Sequence, residues 1–176
     1  MHSIPLLVRA ATAALVVSAL AGTADGSEVG GPTVINGTSG PDELVGTRGD
    51  DLIRGFAGAD VVHGGAGDDD LRGMANRDQL SGENGNDLLA GGDHRDRLWG
   101  GDGADVLYGG LGHDIINGRQ GADVVDAGPG GDFIEAYRDG ERDVIRCGPG
   151  YDIVFHSQVI ERRDTHIGCE EFVWPD

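Results

Sequence analysis

Residues Gly100–Asp114 read GGDGADVLYGGLGHD. The order Gly-Gly-x-Gly-x-Asp, followed by an aliphatic residue two places on, occurs twice within this stretch, nine residues apart. Read outward from it in blocks of nine, the chain gives GTSGPDELV, GTRGDDLIR, GFAGADVVH, GGAGDDDLR, GMANRDQLS, GENGNDLLA, GGDHRDRLW, GGDGADVLY, GGLGHDIIN, GRQGADVVD and AGPGGDFIE. These eleven blocks cover Gly37–Glu135 without an insertion. The sixth residue of every block is Asp, and the eighth is Leu, Ile or Val.

The phase slips by two residues through Ala136–Glu141 and resumes at Asp143-Val144-Ile145. One more clean block follows, CGPGYDIVF at Cys147–Phe155, so Asp143 and Asp152, with Ile145 and Val154, extend both columns. The tail from His156 to Asp176 drops the glycines. Two strands are expected in it, at Gln158–Glu161 and Glu171–Trp174.

A length of 176 residues suits one domain and a leader. With 33 glycines and only 5% aromatic residues, the chain cannot build a thick core. A repeated thin unit is the alternative to disorder. The net charge is −18 and all 13 basic residues are arginine. Such a surface repels nucleic acid and anionic lipid and attracts cations.

The apolar run Ala10–Leu20 follows Arg9 and is too short to span a bilayer. Small residues follow it at Ala19-Leu20-Ala21 and Gly22-Thr23-Ala24, the pattern of a cleavage site. Residues 1–24 therefore read as a signal peptide and the protein as secreted, with no membrane span; an uncleaved anchor is the alternative. Residues 25–36 form a lead-in that ends in an entry strand at Thr33–Asn36. Residues 37–155 are the repeat domain, and 156–176 a C-terminal cap.

Six residues rich in glycine and then three of β type cannot be a helix, because each interior Gly costs about 1 kcal/mol there. They suit a turn needing positive φ and a very short strand in which the eighth residue alone points inward. Two blocks then make one flattened coil of eighteen residues. Stacked coils would align Leu44, Val62, Leu80, Leu98, Ile116 and Ile134 in one ladder, facing Ile53, Leu71, Leu89, Leu107 and Val125. This is a solenoid with a thin apolar seam. The same stacking sets Asp51 beside Asp69 and Asp87 beside Asp105, where like charges repel. A hard divalent cation that takes carboxylate and carbonyl oxygens would cross-link the turns and cancel that charge.

The blocks resemble the RTX (repeat-in-toxin) nonapeptide GGxGxDxUx, U being a large aliphatic residue. Residues 64–72, 100–108 and 109–117 fit it at every position. The resemblance implies an all-β fold, a parallel β-roll, with several Ca2+ ions held between turns two blocks apart by aspartates and turn carbonyls. Transferred to this chain, Asp51, Asp69, Asp87, Asp105 and Asp123 line one edge. Asp42, Asp60, Asp78, Asp96, Asp114 and Asp132 line the other, and Asp143 and Asp152 continue the two columns.

The fourth position is Asn76 in one block and His94 in another, both on the Asp42 edge, so weaker sites are expected there. The second position holds Phe56, Met74, Glu83 and Arg119 in place of Gly. The Asp51 edge keeps glycine at position four (Gly49, Gly67, Gly85, Gly103, Gly121) and is expected to be fully used.

Cys147 and Cys169 are the two cysteines, and in an exported chain they are expected to form a disulfide tying the tail to the last clean block. His63, His94, His113, His156 and His166 share no eighteen-residue spacing and read as solvent-facing, which argues against zinc. No GxSxG or HExxH signature occurs, so no enzymatic activity is expected. Outward positions hold Leu88, Ala90, Val106, Tyr108 and Val124 on one face and Trp99, Ile115 and Phe133 on the other. They are ordinary β surface or a partner surface. The reading is thus a secreted Ca2+-binding repeat protein whose folding is coupled to the ion. The alternative is an adhesion or coat scaffold at the cell surface that self-associates through the roll.

Overall fold

A computed structural model describes residues 15–18, 32–136, 139–156 and 164–173. All the regular structure in it is β-strand, arranged as two parallel sheets facing each other. One sheet stacks Leu15–Ser18, Asp42–Val45, Val61–Ala66, Gln79–Asn84, Arg97–Asp102, Ile115–Gln120, Phe133–Ala136, Ile153–His156 and Glu171–Val173 in that order. The other stacks Thr33–Asn36, Asp51–Ala57, Asp70–Ala75, Leu88–Asp93, Val106–Leu111, Val124–Asp126, Val144–Arg146 and Thr165–Ile167.

The chain alternates between the sheets, and each strand pairs with the one two places on. Leu44 aligns with Val62, Val62 with Leu80, and Ile53 with Leu71, the eighteen-residue coil expected from the period. The phase slip leaves this winding intact: Phe133 aligns with Ile153 and Val124 with Val144, twenty residues away. The expected strand at Gln158–Glu161 lies outside the described residues, as does most of the leader. Among the described residues no helix is long and apolar enough to cross a membrane.

The core is the seam of eighth-position residues. Every one from Leu44 to Val154 is at most 2% exposed. Two expectations need correction. The strands are longer than three residues: Val61–Ala66 includes Gly64 and Gly65, so the first three residues of a block extend the preceding strand. The turn proper shrinks to positions four to six. The eighth residue is also not alone in pointing inward. Along Asp51–Ala57, Asp51, Ile53 and Gly55 are buried while Leu52 and Arg54 are half-exposed. The pleat makes this unavoidable, since residues two apart on a strand share a face.

Glycine at position two serves a backbone corner: Gly65, Gly92, Gly101 and Gly110 all have φ between +103° and +134°. Phe56, Met74, Glu83 and Arg119 are bent the same way, with φ between +75° and +80°, as are Asn76 and His94 at position four. A Cβ is crowded in that conformation, at about 1–2 kcal/mol per residue.

The tail completes the roll. Thr165–Ile167 and Glu171–Val173 add the last strand to each sheet, and the Cys147–Cys169 disulfide joins this final coil to the clean block before it, with Cα atoms 5.1 Å apart. Closing a loop of 22 residues should stabilise the fold by about 3 kcal/mol. Reduction is accordingly expected to lower the melting temperature by roughly 6–12 °C, followed by circular dichroism with and without reductant. The histidine expectation fails here. His156 is 3% exposed, and His166 aligns with Ile145 in the seam. Their rings meet edge to face with centroids 5.0 Å apart.

Candidate metal centre

The thirteen sixth-position aspartates form two columns between the sheets, one along each edge, and none is more than 7% exposed. Each column is a continuous hydrogen-bonded rail. The backbone N–H of Asp42 donates to Oδ1 of Asp60 at 2.9 Å, that of Asp60 to Asp78, that of Asp78 to Asp96, and so on to Asp152. On the other edge the N–H of Asp51 donates to Oδ1 of Asp69, continuing through Asp87, Asp105 and Asp123 to Asp143.

Both rails end on carboxylates outside the sequence-expected set. Asp143 N–H donates to Oδ1 of Asp164, and Asp152 N–H to Oε2 of Glu170, each at 3.1 Å. Counting eighteen residues on from Asp152 lands on Glu170, a signal the sequence does carry.

The rail uses one oxygen of each carboxylate. The fate of the other divides the roll into two regimes. In the first coil, Oδ2 of Asp42 accepts the N–H of Thr38 at 2.5 Å and its hydroxyl at 3.0 Å. Thr47 does the same for Asp51. Beyond that coil the second position is Gly or a residue without a short hydroxyl. Oδ2 of Asp60, Asp78, Asp96, Asp114, Asp132 and Asp152 is then buried with no hydrogen-bond donor, as is Oδ2 of Asp69, Asp87 and Asp105. The orphaned oxygens thus occur on both edges, including the coils of Asn76 and His94.

First-position glycines make the space. A Cβ on Gly91 would stand 2.6 Å from Oδ2 of Asp96 and 2.6 Å from the carbonyl oxygen of Gly109. A bare backbone leaves the carboxylate room to fold inward there, while Ala127 and Cys147 hold the same place before the equally buried Asp132 and Asp152.

Burial of this kind works against the charged form. Asp96 is pushed up to about 8, chiefly by desolvation and further by the charges of Asp78 and Asp114, against the lowering effect of the Asp78 N–H. Asp69, Asp78, Asp123, Asp132 and Asp143 are raised to about 7 for the same leading reason, and Asp105 to about 6.

A buried acceptor without a donor costs free energy unless something positive meets it. The described residues bring no three His, Cys, Asp or Glu side chains together around one point. An ion would draw on one or two carboxylates and complete its shell from backbone carbonyls, the mixed oxygen set that suits Ca2+. Such carbonyls line the turns. Those of Gly67, Gly85, Gly103 and Gly121 accept no hydrogen bond from the described residues, whereas the Gly49 carbonyl accepts the Thr47 hydroxyl at 3.4 Å. The donor set therefore fits a hard divalent cation beyond the first coil.

Comparison with known proteins points the same way. The RTX calcium-binding nonapeptide repeat (4 copies) matches residues 36–71, 72–107 and 99–134. No curated protein matches the chain.

Proposed function

The chain belongs to the RTX calcium-binding nonapeptide repeat family, and on that premise we propose that it is a secreted protein that binds several Ca2+ ions along both edges of the roll and folds as it binds them. Buried, donorless carboxylate oxygens repeated coil after coil carry this reading. The eleven aspartates from Asp60 to Asp152 and the carbonyls of Gly67, Gly85, Gly103 and Gly121 are the ligand pool, the first coil's Asp42, Asp51 and Gly49 being satisfied by Thr38 and Thr47. Bound Ca2+ supplies positive charge and cross-links successive turns. The chain's own part is to hold each Oδ1 on the rail, so that Oδ2 is fixed in place, and to keep water away with the seam. The free energy of binding then becomes free energy of folding.

A disulfide and a leader-like first segment fit an oxidising compartment outside the cell. The aspartates are committed to the repeat, so the protein is read as non-catalytic. A coat or adhesion scaffold is the second reading. It is favoured by outward apolar side chains such as Phe133 and Phe155, whose rings stack 6.2 Å apart.

The test is a Ca2+ and Mg2+ titration of the mature chain, with Asp105→Asn as the informative variant. The wild type should gain β signal cooperatively with Ca2+ and little with Mg2+. Asn keeps the acceptor for the Asp87 N–H but removes one buried charge. The variant should therefore retain more β signal in chelator, while its Ca2+ midpoint moves up several-fold. A variant that titrates like the wild type would remove Asp105 from the site, and a chain indifferent to Ca2+ would overturn the reading.

A further inference from the structure

The two edges differ in what stands at the fifth position, just outside each buried rail. On the Asp51 edge these residues are Asp50, Asp68, Asn86 and Ala104, and they form a second, outer rail. The N–H of Asp68 donates to Oδ1 of Asp50 at 2.9 Å, that of Asn86 to Oδ1 of Asp68 at 2.8 Å, and that of Ala104 to Oδ1 of Asn86 at 2.9 Å.

On the Asp42 edge the same places hold Pro41, Ala59, Arg77 and Arg95, none of which offers a side-chain acceptor. The backbone N–H groups of Ala59, Arg77, Arg95 and His113 there have no acceptor among the described residues. A groove of about 440 Å3 opens on this edge, lined by Gly40, Pro41, Ala59, Asn76, Arg77 and His94 among others, with Arg95 one coil beyond Arg77 and outside the lining. Arg77 and Arg95 are exposed. The ion pairs among the described residues are His63–Glu83 and Arg72–Asp70, so neither arginine is in one, though Arg95 is near enough to the buried Asp114 to offset part of the rise that burial gives its carboxyl.

One edge thus carries ordered acceptors with negative charge, and the other N–H donors with exposed guanidinium groups, in a chain of net charge −18. We propose that the basic groove receives the Asp50–Asp68 rail of a second copy of this chain. The two rails belong to one fold, so both advance by the same strand spacing, about 4.8 Å per coil. With one copy shifted by two coils, Asp50 and Asp68 come level with Arg77 and Arg95. In that register Arg48 on the acidic edge and Asp93 on the basic one lie in the same coils, so the two turns that meet carry a net −1 (Arg48, Asp50, Asp68) against a net +1 (Arg77, Asp93, Arg95). Because donor and acceptor edges lie on opposite sides of the roll, the contact is head-to-tail and does not close, and it builds an open lateral array. This deepens the scaffold reading and rests on the roll being folded.

The test is sedimentation velocity over a concentration series in excess Ca2+ at low salt, on samples whose β signal has first been verified by circular dichroism. The wild type should show a sedimentation coefficient that rises without a plateau at the dimer, and that falls back when salt is raised to about 0.5 M, where screening is short-ranged. Arg77→Glu with Arg95→Glu, and separately Asp50→Arg with Asp68→Arg, should each weaken association about ten-fold or more. An equimolar mixture of the two double variants should restore it, since each supplies the edge the other lacks. A folded wild type that stays monomeric overturns the edge pairing and leaves the calcium reading standing. So does association that survives both double variants or high salt, which would point to the apolar strips instead.

Discussion

In chelator, the β signal of the mature chain should be strongest near pH 4–5 and be largely lost by pH 8, while in excess Ca2+ it should persist at pH 8. The sign follows from linkage. Asp69, Asp78, Asp96, Asp123, Asp132 and Asp143 have folded-state values raised to about 7–8 by burial, against about 3.9 in an unfolded chain. Between those limits the folded state holds more protons than the unfolded one, so stability falls as pH rises. The penalty is absent below about pH 4 and complete above about pH 8. Every tenfold difference in proton affinity between the two states is worth about 1.4 kcal/mol, and an ordinary domain has only about 5–15 kcal/mol in hand. A few such carboxylates are enough to unfold the metal-free roll. A cation reverses the dependence because it requires the ionised form. A chelated chain whose β signal is flat from pH 4 to 8 would show that the carboxylates are not buried as described.

Gly100→Ala should be among the most damaging single substitutions in the roll, and Gly40→Ala close to neutral. The added methyl is the same in both. At Gly100 it would fall on Oδ2 of Asp105 and stand 2.6 Å from the carbonyl oxygen of Gly118. Backbone on one side and a carboxylate fixed by its rail on the other leave little room to yield in these regular coils, although Ala127 and Cys147 are accommodated at the same place near the end of the roll. At Gly40 the nearest atom is the Thr38 hydroxyl oxygen at 4.0 Å, and φ lies outside the left-handed region. Overpacking of this severity should cost about 3 kcal/mol or more. Gly100→Ala should then lower the melting temperature in Ca2+ by roughly 10 °C, and Gly40→Ala should change it by less than about 2 °C. Equal effects at the two positions would mean that the first-position glycine is not there to make room for the carboxylate.

The period, the eighteen-residue coil and both aliphatic ladders were legible because they depend only on spacing. Leu44 over Val62 and Ile53 over Leu71 follow from counting. Strand length was not legible in the same way. Gly64 and Gly65 have poor β propensity taken alone, yet parallel pairing with the neighbouring coils carries the strand through them. The inward aspect of the aspartates was masked by their chemistry, since a charged side chain is expected at a surface and not beside Leu and Ile. Asp164 is hidden in the sequence because it sits twenty-one residues past Asp143, after the phase has already slipped. His156 and His166 gave no periodic sign, although His166 occupies a seam position that its phase relative to Ile145 would have shown once the slip was allowed for.

Thr38 and Thr47 give the winding a starting end. Their hydroxyls and amides satisfy the carboxylates of Asp42 and Asp51 from within the chain, so on the proposed reading the first coil closes without an ion. Once it has closed, the N–H groups of Asp42 and Asp51 face the carboxylates of Asp60 and Asp69, which arrive eighteen residues later. Each further turn finds a template already formed on one side only. The molecule is in this sense a one-way zipper, with its pull-tab at the N-terminal end.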